Sequence, residues 1–93
     1  MDQGTDRLVA NPTVVTQVTE DGAVLLEMGS GECFELNRSG AEIWSRIKDG
    51  EALATIVASV AKRYAIPEST AEADARQLMA ELVRRGLLTR AQR

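Results

Sequence analysis

The spacing of apolar positions along the chain changes at Asn37. Upstream, Thr13 to Thr19 is rich in β-branched residues (Val14, Val15, Thr16, Val18) that suit a pleated surface. Glu20-Asp21-Gly22 reads as a turn and Ala23 to Met28 resumes an apolar run. Gly29-Ser30-Gly31 is a second turn, and Glu32 to Leu36 makes a third short strand. Strands joined by tight, glycine-bearing links predict a three-stranded antiparallel meander. In its last strand Phe34 and Leu36 point to one face and Cys33 and Glu35 to the other, because successive side chains alternate.

Downstream, apolar residues recur at spacings of three and four, which predicts three helices. Ser39-Gly40-Ala41-Glu42 has the form of a capping box, with Asn37 as an alternative cap. Ile43, Trp44 and Ile47 then share a face, and Asp49-Gly50 ends the helix. Leu53, Ile56, Val57, Val60, Ala61 and Tyr64 form a second stripe. It stops at Ile66-Pro67, since a residue before proline avoids the helical region. Ser69-Thr70-Ala71-Glu72 reads as another capping box, followed by a stripe of Ala75, Leu78, Met79, Leu82 and Val83. Glu68, Glu72 and Asp74 at its start and Arg84 and Arg85 at its end match the helix dipole. Gly86 suits a left-handed C-terminal cap, with Leu87 or Leu88 folding back as its apolar partner. The expected fold class is α+β, one domain over residues 13–89 between a flexible N-terminal tail (1–12) and a C-terminal tail (90–93).

Composition then narrows the function. The chain's 93 residues suffice for one domain, and with hydrophobic residues at 44% but aromatics at 3% the core must be aliphatic. A net charge of −3 argues against a surface that coats phosphates. No run approaches the roughly 18 apolar residues of a membrane span. Residues 1–11 lack the basic-then-apolar order of a signal peptide, so a cytoplasmic protein is expected. There is no histidine, which removes Ser-His and Cys-His nucleophile activation. One cysteine with scattered acids makes no tetrahedral zinc set, and no phosphate-binding loop is present. Glu32 and Glu35 are close in sequence but fall on opposite faces of a strand. No catalytic residue, metal or cofactor is expected, and the chain reads as a non-enzyme. Cys33 is read as a partly buried hydrophobe and Trp44 as core. What survives is a binding geometry. An open sheet edge offers N–H and C=O groups to an extended peptide, beside an apolar wall from Leu78, Met79 and Leu82. The same open edge offers a second copy a route to a homodimer.

The succession A-V-L-L-E-M-G-S-G-E-C-F-E-L-N-R-S-G-A-E-I-W (Ala23 to Trp44), D-G (Asp49, Gly50), I-V-x-x-V-A-K-R-Y (Ile56 to Tyr64) and A-D-A-R-Q-L-M-A-E-L-V-R-R-G-L-L (Ala73 to Leu88) resembles the PqqD-like family. The resemblance covers about residues 13–88. Its most specific pieces are F-x-L-N-x-x-G-x-x-I-W and the terminal L-x-x-x-G-L-L. It implies a meander packed on a winged-helix-like bundle that holds the leader segment of a ribosomally made precursor peptide and presents it to a modifying enzyme. It further implies that the leader adds as a strand to the third strand, against the third helix. The residues implicated are Glu32, Cys33, Phe34, Glu35 and Leu36 on the edge and Asp74, Ala75, Leu78, Met79 and Leu82 on the helix. Two partner enzymes fit the family: a radical-SAM enzyme, as in the PQQ pathway, or a leader peptidase, as in split lasso-peptide B proteins. The junction is more similar to the lasso group. The alternative from another class, a winged-helix DNA-binding protein, would need Ser69 to Arg85 as its recognition helix. The acids of that helix oppose phosphate, and base-reading Asn or Arg near its start is missing.

Overall fold

The computed structural model describes residues 7–91. Four strands, β1 (Arg7–Ala10), β2 (Val14–Thr19), β3 (Gly22–Glu27) and β4 (Cys33–Asn37), precede α1 (Arg38–Lys48), α2 (Leu53–Tyr64) and α3 (Glu68–Arg84), and β5 (Leu88–Ala91) closes the described chain. β2, β3 and β4 form the antiparallel meander, in that order, and the three helices follow it. The fold is α+β, as the change of period predicts.

The ends of the domain differ from expectation. β1 pairs antiparallel with β5 in a separate two-stranded ribbon. Residues 7–10 are therefore strand rather than tail, and Arg90 and Ala91 belong to β5. Residues 1–6 and 92–93 of the expected tails lie outside the described residues. Four residues carry too little pattern to announce a strand, and the pairing partner is at the other end of the chain. Asn11 fastens the two ends. Its side-chain amide donates to the Gly86 carbonyl and its backbone N–H to the Leu87 carbonyl, both at 3.0 Å.

One core joins the sheet to the helices. Ala23 and Leu25 of β3 and Leu36 of β4 meet Ile43, Trp44 and Ile47 of α1. Ile56, Val57, Val60 and Ala61 of α2 and Ala71, Ala75 and Leu82 of α3 complete it, with Leu87 and Leu88 sealing one end. Trp44 is core, as expected, but not as a plain hydrophobe: its indole N–H donates to the Thr16 hydroxyl at 2.9 Å. That bond satisfies a buried donor and ties α1 to β2.

Helix ends show where local chemistry was legible. Asn37, not Ser39, caps α1, its Oδ1 accepting from the Gly40 N–H at 2.8 Å. The second expected capping box is overturned. α3 starts at Glu68 with Pro67 in the cap position and no side-chain cap, so Ser69 already lies within the first turn. Pro67 is pre-set for an extended-to-helix turn and moves the start upstream of Ser69. The C-terminus of α3 follows expectation. Gly86 has φ +79°, its N–H donates to the Val83 carbonyl, and the Leu87 N–H donates to the Leu82 carbonyl at 2.9 Å. This paired motif turns Leu87 and Leu88 back into the core.

Candidate functional site

The junction between β4 and α1 is built from residues with separable jobs. Leu36 enters the core and Asn37 caps the helix. Gly40 is buried where a Cβ would stand 3.1 Å from the cap oxygen and 3.5 Å from the Leu36 side chain. Glycine there lets α1 close on the strand. Upstream, Glu27 organises the β3–β4 turn. Its carboxylate accepts from the Ser30 N–H at 2.7 Å and from the Thr13 hydroxyl. The Thr13 hydroxyl, then the Ser30 N–H, hold its pKa down to about 2.

β4 is an edge strand, and its register decides which backbone groups are free. The Glu27 N–H donates to the Glu32 carbonyl at 2.9 Å, one step beyond the Leu26–Cys33 pair. Hydrogen-bonded and open pairs alternate in an antiparallel ladder. Leu25–Phe34 and Ala23–Leu36 are therefore the bonded pairs, so Cys33 and Glu35 aim their N–H and C=O groups, and Asn37 its N–H, at the open edge, the Asn37 carbonyl belonging to the first turn of α1. The opposite edge obeys the same rule. The Met28 N–H donates to the Thr13 carbonyl, which leaves Thr16 and Val18 facing outward from β2, while the outward Val14 N–H is taken by the Asn11 carbonyl at 3.0 Å.

Beside the β4 edge, a cleft of about 420 Å³ opens between β4, the start of α1 and one side of α3. Phe34, Leu36, Ile43 and Leu78 give it an apolar floor, and Asn37, Ser39, Asp74, Gln77 and Glu81 give it polar walls. At one end the Arg85 guanidinium lies 5.0 Å from the Phe34 ring centroid and 2.6 Å from the Glu81 carboxylate, which Arg84 also pairs. The hydrogen bond from Arg85, with the charge of Arg84, holds the Glu81 carboxyl below its ordinary range. Among the described residues no group of three His, Cys, Asp or Glu side chains is placed to hold a metal ion.

This is an edge strand facing a helix across an open cleft. The sequence matches the family described as Coenzyme PQQ synthesis protein D (PqqD) over residues 22–88. The chain belongs to the PqqD family. Two solved structures of similar fold share 30% identity with it. One, TbiB1 in complex with the TbiA(beta) leader peptide, superposes with a TM-score of 0.78 over 85% of this chain and 92% of that one. The other, lasso peptide synthetase B1 complexed with the leader peptide, gives 0.79 over 91% and 98%. No curated protein matches the sequence.

Within this PqqD domain the residues singled out from the sequence separate into groups. Phe34, Glu35, Leu36, Asp74 and Leu78 come together along the cleft. Ala75 and Leu82 are buried in the core at 1% and 0% exposure and do not line it. Met79 is partly buried against the core on the far side of the same stripe. Glu32 precedes β4 and is exposed. Cys33 is exposed too, which corrects its reading as a partly buried hydrophobe. Its side chain falls on the outer sheet face, which no helix covers. Sequence reasoning missed Asn37, Ser39, Gly40, Ile43, Gln77 and Glu81. On α3 the signal was present: Asp74, Gln77, Leu78 and Glu81 are spaced i, i+3, i+4, i+7, a polar-apolar stripe beside the core stripe of Ala71, Ala75 and Leu82.

Proposed function

We propose that this protein captures the leader segment of a ribosomally synthesised precursor peptide by strand addition to β4 and presents the peptide to a separate enzyme. The observation that carries this reading is the open β4 edge, with Cys33 and Glu35 backbone groups facing outward beside the cleft against α3. Backbone pairing would supply affinity and the Phe34–Leu78 floor would take alternate side chains. Both solved relatives, 30% identical, carry a leader peptide, and one of them is a lasso peptide synthetase B1, which favours lasso-type maturation with a leader peptidase over a radical-SAM partner. The protein's own part is positioning, without chemistry: the chain has no histidine to serve as a base. A DNA-binding role draws no support, since α3 presents Glu68, Glu72 and Asp74 at the end where phosphates would have to approach.

Hydrogen exchange followed by mass spectrometry tests the reading, with the TbiA(beta) leader and other lasso-type leaders as probes. Binding should slow exchange at Cys33, Glu35 and Asn37. Tight binding with no protection of these amides would refute strand addition at β4. The edge left for a second copy is then β2, where Val15 and Val18 are 51% and 75% exposed. Light scattering across a concentration series tests that pairing.

A further inference from the structure

The ionisable side chains lining the cleft are the acids Asp74 and Glu81 of α3, while Glu35 of β4 borders it through its backbone and carries its carboxylate on the outer sheet face. Glu81 is already answered by Arg84 and Arg85. Neither Glu35 nor Asp74 has an ion-pair partner among the described residues. The charge in the cleft is thus neutralised at the Glu81 end and left unanswered at Asp74. Arg85 sits over Phe34 at one end, and Asp74 lies three helical turns away, about 16 Å at the rise of an α-helix. The first turn of α1 contributes a partial positive charge to the cleft, but its Gly40 N–H is occupied by Asn37, and the full charge on Asp74 outweighs it. The two acids stand on different sides of any strand laid along β4. Asp74 is on the helix side, while Glu35 shares the outer sheet face with Cys33.

We propose that the cleft selects leader segments with a lysine or arginine reaching Asp74, with Glu35 as a second acid that favours a cation directly across the strand pair. An acidic side chain at either place would meet an unanswered carboxylate beside low-dielectric apolar surface. This inference rests on strand addition at β4. Each pair contributes roughly a two- to fivefold change in affinity, as expected for partly exposed ion pairs, and the effect shrinks as salt rises.

The test is to pan a displayed library of random peptides, about twelve residues long, against the full chain and against its Asp74→Asn and Asp74→Lys variants. Asp74 is exposed, so both variants should fold, and circular dichroism checks this. Peptides selected by the native chain should be enriched in Lys or Arg at a fixed offset. Asp74→Asn should weaken a selected basic peptide two- to fivefold, and Asp74→Lys should move the enrichment to Asp or Glu at the same offset. Peptides that protect the β4 amides from exchange, yet show no cation enrichment and bind all three proteins equally, would overturn charge selection alone. If no selected peptide protects those amides, strand addition fails and this inference goes with it.

Discussion

The backbone direction at Glu35 makes a prediction that separates binding from folding. Its N–H faces the open edge, because the bonded pairs of the β3–β4 ladder fall at Phe34 and Leu36. Glu35→Pro therefore removes no bond inside the sheet, and proline is tolerated on an edge strand whose N–H faces outward. For an incoming strand the loss is larger than one net hydrogen bond, about 0.5–1.5 kcal/mol. The pyrrolidine ring occupies the donor's place and leaves the ligand carbonyl desolvated without a partner, which brings the cost to about 1–3 kcal/mol. That is roughly a 5- to 150-fold rise in Kd. Glu35→Ala is the control: it keeps the N–H while deleting the carboxylate, and should change affinity several-fold at most. Calorimetric titration with a lasso-type leader, alongside thermal melts of the free proteins, reads both effects. The reasoning fails if the Pro and Ala variants bind alike. It also fails if Glu35→Pro unfolds the sheet, for then the N–H belonged to the ladder.

Three further outcomes follow from local geometry. Gly22 has φ +153°, and a Cβ there would overlap the Leu36 carbonyl oxygen and stand 2.7 Å from the Asn37 carbonyl carbon. Gly22→Ala should therefore cost about 2 kcal/mol or more, visible as a lowered urea midpoint. Ala65 ends α2 at φ 55°, ψ 46°, a left-handed conformation costly for a residue with a Cβ. Ala65→Gly should stabilise by about 0.5–1 kcal/mol, read as a raised melting temperature, whereas Ala65→Val should lower it. Glu27 is held at a pKa of about 2, below the 4.5 of an unperturbed glutamate. Its contribution to stability is thus present above about pH 4.5 and is lost as pH falls toward 2. Acid titration of stability should flatten across that window in Glu27→Gln, and an unchanged profile would show that the Thr13 and Ser30 bonds do not bias its protonation.

The three-stranded meander, the three helices and most of the core were legible from the order of residues. Those depend on period, and period is written in consecutive residues: alternation in Cys33–Leu36, three-four spacing from Leu53 to Tyr64, a glycine stop at Gly86. The sequence also pointed to the β4–α3 region through the F-x-L-N-x-x-G-x-x-I-W junction. Each fixed position of that motif has a physical task here: Phe34 in the cleft floor, Leu36, Ile43 and Trp44 in the core, Asn37 as cap, Gly40 at a close approach. The rest depends on contacts between distant segments. β1 and β5 are too short to have a pattern and form by pairing with each other from opposite ends of the chain, beside the bonds from Asn11 to Gly86 and Leu87. The α3 cap moved because Pro67 outweighed the Ser69–Glu72 motif. On α3, Leu78 borders two adjacent stripes, so spacing alone could not say that Ala75 and Leu82 turn inward while Asp74, Gln77 and Glu81 line the cleft. Which face of a helix meets solvent is set by what packs beside it, and that is a property of the assembled fold rather than of any one segment.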